Sequence, residues 1–173
     1  CKDCTTIQGV SEESTIIDGE MENPFLRLNY GEHCFSLKNI SFVNSYSVPN
    51  SSTIYNTAIN TFSSYTGAFN LSNIVFENND VYSRLLVLNS QNDVNMDNII
   101  FRDNGLTNTP TNCKILLWNF SDHYSAHLNN ILSIDNNSGI IKIRGIPYVR
   151  PDAYICNLVF NNNFIFCCDT GFT

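Results

Sequence analysis

The sequence predicts an all-β protein in which short strands are wound into repeated coils, and three observations carry that expectation. An apolar pattern recurs five times along the chain, the pattern changes parity at an asparagine in its middle, and asparagine makes up 27 of the 173 residues. Glycine and proline, at eight and five residues, show no matching excess, so the amide load has to serve regular structure as well as turns.

In register, the five units read Phe35, Leu37, Asn39, Ile40, Phe42; Phe69, Leu71, Asn73, Ile74, Phe76; Val94, Met96, Asn98, Ile99, Phe101; Ala126, Leu128, Asn130, Ile131, Ser133; and Ala153, Ile155, Asn157, Leu158, Phe160. Measured from the asparagine, the inward positions are −4, −2, +1 and +3, with Ser133 the one polar exception. Period-two alternation on both sides of the asparagine means two short strands, and the parity switch means the chain turns a corner there. Six residues past each corner stand Ser45, Asn79, Asn104, Asn136 and Asn163, where a second turn is expected.

The elements follow in order. Residues 1–33 form an irregular first coil, with apolar stretches at Thr15-Ile16-Ile17 and Phe25-Leu26-Arg27-Leu28. Residues 34–166 form the regular coils, each completed by a third strand: Thr53-Ile54-Tyr55, Leu85-Leu86-Val87-Leu88, Ile115-Leu116-Leu117-Trp118, Ile140-Ile141-Lys142-Ile143 and Phe164-Ile165-Phe166. Residues 167–173 are a tail. The chain is therefore one domain, 1–173, of about five to six coils with three short strands per coil. Stacking sets like on like, so Phe42, Phe76, Phe101 and Phe160 should form one column with a gap at Ser133. The corner residues Asn39, Asn73, Asn98, Asn130 and Asn157 should form a buried asparagine ladder, because an amide both donates and accepts along the stack. A β-sandwich would need frequent hairpin dipeptides, yet Asn104-Gly105 is the single Asn-Gly. Sustained helical periodicity is absent.

The string Leu71-Ser72-Asn73-Ile74-Val75-Phe76-Glu77-Asn78-Asn79, echoed from Met96 to Asn104, resembles the pectin-lyase-like right-handed parallel β-helix, a β-solenoid. Its Phe-x-x-Asn element is similar to repeats of polymorphic outer membrane proteins and related surface adhesins. The resemblance spans residues 34–166 and implies a right-handed coil and a surface or extracellular setting.

Charge and cysteine narrow the function. Nine Lys and Arg against sixteen Asp and Glu give a net charge of −7, which disfavours nucleic acid as a partner. No apolar run reaches the roughly 18 residues of a membrane-spanning helix. Seven cysteines and a start at Cys1 suggest a processed, secreted product in an oxidising compartment, at the cell surface or outside it. Cys34 and Cys156 occupy outward or edge-adjacent phases, where disulfides or capped thiols are expected. Cys1, Cys4, Cys167 and Cys168 gather at the two ends of the stack and are the candidates for disulfides or assembly. Glycosylation sequons occur at Asn39, Asn50, Asn70, Asn119 and Asn136; the corner positions Asn39 and Asn136 should be bare, leaving Asn50, Asn70 and Asn119 as candidates.

Residues 142–150 are similar to the Arg-x-Pro-x-x-Arg signature of pectate lyases, with Pro147 and Arg150 matching and Gly145 at the first Arg position while Arg144 is one out of phase. No stacked carboxylate set accompanies them, so no catalytic residue is assigned. His123 and His127, four apart in a strand, stand about 13 Å apart along the chain, so no metal site and no cofactor is expected. The expected role is an extracellular structural or adhesive β-solenoid, not an enzyme, whose partner is a second copy stacked head to tail into a filament, or a longer parent solenoid. Glycans are a further partner, and the alternative is a carbohydrate-active β-helix, either a polysaccharide lyase or a glycan-binding module.

Overall fold

A computed structural model describes residues 4–20, 26–28, 34–46, 57–61, 67–80, 84–89, 93–105, 113–120, 125–135, 139–145 and 152–161. These form twelve strands, and no helix occurs among the described residues. They are β1 (Cys4–Gln8), β2 (Ile16–Asp18), β3 (Leu26–Leu28), β4 (Cys34–Val43), β5 (Thr57–Thr61), β6 (Phe69–Glu77), β7 (Arg84–Asn89), β8 (Val94–Arg102), β9 (Cys113–Phe120), β10 (Ser125–Ile134), β11 (Gly139–Gly145) and β12 (Asp152–Asn161). The protein is all-β, and every pairing between these strands is parallel.

From β3 onward the chain alternates between two sheets. One holds seven strands in the order β1-β4-β6-β8-β10-β12, with β2 paired to β4; the other holds five in the order β11-β9-β7-β5-β3. Sequence neighbours are never sheet neighbours here, which is what a repeated crossover between parallel strands requires.

The pairing register reproduces the repeat residue by residue. Phe42 pairs with Phe76, Phe76 with Phe101, Phe101 with Ser133 and Ser133 with Phe160. The rings of Phe42 and Phe76 stack with centroids 5.4 Å apart and those of Phe76 and Phe101 at 5.2 Å, both within 17° of parallel. Phe35 stacks on Phe69 in the same way at 5.9 Å. A parallel ladder favours this geometry, because partners one strand spacing apart share a face. Leu37, Leu71, Met96 and Leu128 form a second buried column, and Ile40, Ile74, Ile99 and Ile131 a third. Ser133 is fully buried at its gap in the aromatic column.

Three expectations need correction. The two strands expected on either side of each corner run as one ladder of nine or ten residues, interrupted in its register only at the asparagine. In the first gap the described third strand is β5, Thr57–Thr61, which pairs with β3 and β7; Thr53-Ile54-Tyr55 lies outside the described residues, as does Phe164-Ile165-Phe166. The N-terminal region also contains a strand that the apolar pattern did not reveal. β1 pairs in register with β4, Cys4 opposite Cys34 and Ile7 opposite Leu37, although its sequence Cys-Thr-Thr-Ile-Gln has a single large apolar residue.

Candidate functional site

The asparagines form three vertical columns, and these define the chemistry of the surface and of the turns. In the corner column, Asn73 Nδ2 donates to Asn39 Oδ1 at 2.8 Å, Asn98 to Asn73 at 3.0 Å and Asn130 to Asn98 at 2.9 Å. The column ends at Gly9, whose carbonyl accepts from Asn39 Nδ2 at 3.3 Å. Gly9 occupies the corner position after β1, where a Cβ would collide with the Asn39 carbonyl and the Thr15 side chain. Asn157 is in register on β12, with its side chain outside the described set.

The corner ladder is a surface feature. Asn39 and Asn73 are half-buried and Asn98 and Asn130 exposed, which overturns the expectation of a buried ladder. The corner is nonetheless real: φ is 57° at Asn39, 53° at Asn73, 55° at Asn98 and 53° at Asn130. Left-handed backbone costs an ordinary L-residue about 1–2 kcal/mol and is best tolerated by Asn and Asp after Gly. Asparagine therefore serves the corner by its backbone tolerance as well as by its amide.

A second left-handed column stands five residues further on, at Asn44, Asn78, Asp103 and Asp135, with φ between 49° and 56°. Asn78 Nδ2 donates to Asn44 Oδ1 at 2.7 Å and Asn44 Nδ2 to Asp18 Oδ2 at 3.1 Å. The turn sits one residue earlier than the sequence pattern suggested. The signal was present as Asn or Asp at +5 in each of the five units, Asn44, Asn78, Asp103, Asp135 and Asn162.

The residues at +6 form the buried column. Ser45, Asn79 and Asn104 are each no more than 1 % exposed. Asn79 Nδ2 donates to the Phe42 carbonyl at 3.0 Å and to Asn104 Oδ1 at 2.9 Å, while Asn79 Oδ1 accepts the Ser45 backbone N–H at 2.9 Å. Asn104 repeats the pattern one coil on, donating to the Phe76 carbonyl at 2.8 Å and accepting the Asn79 N–H at 3.1 Å. These amides satisfy main-chain groups where the chain leaves the ladder, which buried backbone requires. Asn136 and Asn163 lie outside the described residues.

Outside the turns, Asn95 Nδ2 bonds Asn70 Oδ1 at 2.9 Å and Asn129 Nδ2 bonds Asp97 Oδ1 at 2.8 Å, extending the polar array across the outward face. Asn70 is half-buried, so that sequon is partly engaged; Asn50 and the side chain of Asn119 are outside the described residues. The Asn39 sequon is tied into the corner ladder through both polar atoms of its amide.

Cys34, expected at an outward or edge phase, is 6 % exposed and disulfide-bonded. Its burial has a structural reason, since β1 covers that edge of β4 and sets Cys4 opposite it in register. Cys1, Cys167, Cys168, Arg150 and His123 fall outside the described residues, and so do the side chains of Cys4, Cys113, Cys156 and Arg144. Among the described residues no group of three or more His, Cys, Asp or Glu is arranged to hold a metal ion, and no helix is long and apolar enough to cross a membrane. Comparison with models of known families, with curated proteins and with solved structures returns no match to this chain.

Proposed function

We propose that the two parallel sheets are the walls of a right-handed parallel β-helix, and that the protein is an extracellular structural or adhesive module built on it. The observation that carries the reading is the register of the seven-stranded sheet, interrupted only at the corner asparagines, in which each repeat lies directly over its predecessor while the chain visits the second sheet in between. A solenoid of this kind needs no ligand to fold, since each coil buries its apolar face against the next. The disulfide at Cys34 supports an oxidising compartment.

The asparagines of the corner column suit a scaffold or contact surface better than a reaction centre. Their amides are neutral, regularly spaced and bonded to one another, which gives adhesion points without the charge contrast or isolated base of a catalytic site. The test is two-part. Antibody labelling of intact producing cells should find the chain on or outside the surface. The purified chain should release no unsaturated product from a panel of acidic polysaccharides, whereas turnover lost in Arg150→Ala would replace the scaffold reading with a lyase.

A further inference from the structure

The edge of the seven-stranded sheet at β1 and β2 is built unlike the interior. Ile7 continues the column of Leu37, Leu71, Met96 and Leu128, whose members are at most 2 % exposed, yet Ile7 is 44 % exposed. Ile17 continues the Phe42 column and is 37 % exposed, with Ile16 beside it at 57 %. Chemistry and register are those of core positions; what differs is that no described strand lies on the outer side. β1 and β2 contain neither Lys nor Pro, the residues that commonly blunt a strand edge, and Asp18 is their one charge.

We propose that this edge accepts the β12 edge of a second copy of the chain, in the register that already joins β12 to β10. The inference rests on the β-helix reading. That joint sets Ile155 over Ile7, Asn157 over Gly9 and Phe160 over Ile17, so the apolar columns and the corner column run on across it. Charge selects the same arrangement. Residues 4–20 carry Glu12, Glu13, Asp18 and Glu20 and no Lys or Arg, whereas β11 and β12 together carry Lys142 and Arg144 against Asp152. Two β1–β2 edges brought together would set acidic segments against each other; an acidic end on a mildly basic one does not. Because the two surfaces differ, the contact does not close at a dimer, and copies add in line.

Sedimentation of the 173-residue chain over a wide concentration range tests the joint, with far-UV circular dichroism as the check on folding. The wild type should form a ladder of species beyond the dimer. Ile17→Lys should raise the concentration needed for assembly about tenfold or more, the equivalent of ~1.4 kcal/mol per joint. Ile16→Lys serves the same purpose if the first variant loses its β spectrum. Added in small amounts to wild type, a folded edge variant should shorten the assemblies, because its β12 edge still docks while its β1–β2 edge stops growth. A folded wild-type monomer, an association that halts at the dimer, or folded edge variants that assemble like wild type would each overturn the proposal. A monomer is also the outcome if the natural occupant is a preceding repeat of a longer chain. Loss of the β spectrum in the wild type would instead defeat the β-helix reading itself.

Discussion

Asn98 of the corner column and Asn104 of the +6 column are the same residue type, each bonded amide to amide within its column, and they differ in what lies around them. Asn98 bonds its neighbours in view of solvent, while Asn104 is 1 % exposed and bonds the Phe76 carbonyl, the Asn79 side chain and the Asn79 backbone N–H. Water can take over the first set of bonds and cannot reach the second. A hydrogen bond lost to solvent costs little, whereas a buried polar group left unpaired costs about 1–3 kcal/mol. Visible ladders on the surface are therefore a poor guide to where a stack of this kind is held together.

That contrast is tested by five substitutions at four positions, each read by denaturant or thermal unfolding. The reference is the aromatic column: Phe76→Ala, between two stacked rings, should cost about 3–5 kcal/mol. Asn104→Leu should follow at about 2–3 kcal/mol, since it strands the Phe76 carbonyl and the Asn79 N–H in the interior. A loss below that of the corner variant would show that the buried column is not the stronger of the two. Asn98→Ala should cost about 1–2 kcal/mol, mostly through its positive φ, and Asn98→Gly should recover most of that although it also removes the amide. Equal losses in the Ala and Gly variants would return the corner's stability to its hydrogen bonds. The smallest effect belongs to Arg102→Ala. The 2.9 Å pair of Arg102 with Glu77 joins side chains 45 % and 37 % exposed, so about 0–0.5 kcal/mol is expected, shrinking further with salt.

The edge offers a second comparison of the same kind. Ile7 and Leu37 are paired residues of similar size in one column, one exposed and one buried. Ile7→Ser should therefore leave the isolated chain's unfolding nearly unchanged while Leu37→Ala costs about 2–5 kcal/mol. Should Ile7→Ser prove as damaging as Leu37→Ala, β1 is already covered in the folded monomer and its edge is closed to a partner.

Local pattern alone was enough for the all-β class, the five-unit register, the inward columns and the corners at Asn39, Asn73, Asn98 and Asn130. Those follow from local alternation, and a parallel stack repeats one local solution in every unit, so a pattern such as Phe42, Phe76, Phe101 is legible without coordinates. Tertiary structure decided which asparagines are buried, that β1 pairs with β4, and that Cys34 is enclosed. Asn98 and Asn104 read alike in sequence because polarity does not encode which side of a turn faces the interior. Left-handed φ at Asn78 and Asp103, one residue before the buried position, turns the +6 side chain inward to the carbonyls that need a donor. β1 was illegible for a related reason: an edge strand with a single apolar anchor is fixed by the ladder offered by β4, and that ladder is a long-range pairing that no local pattern encodes.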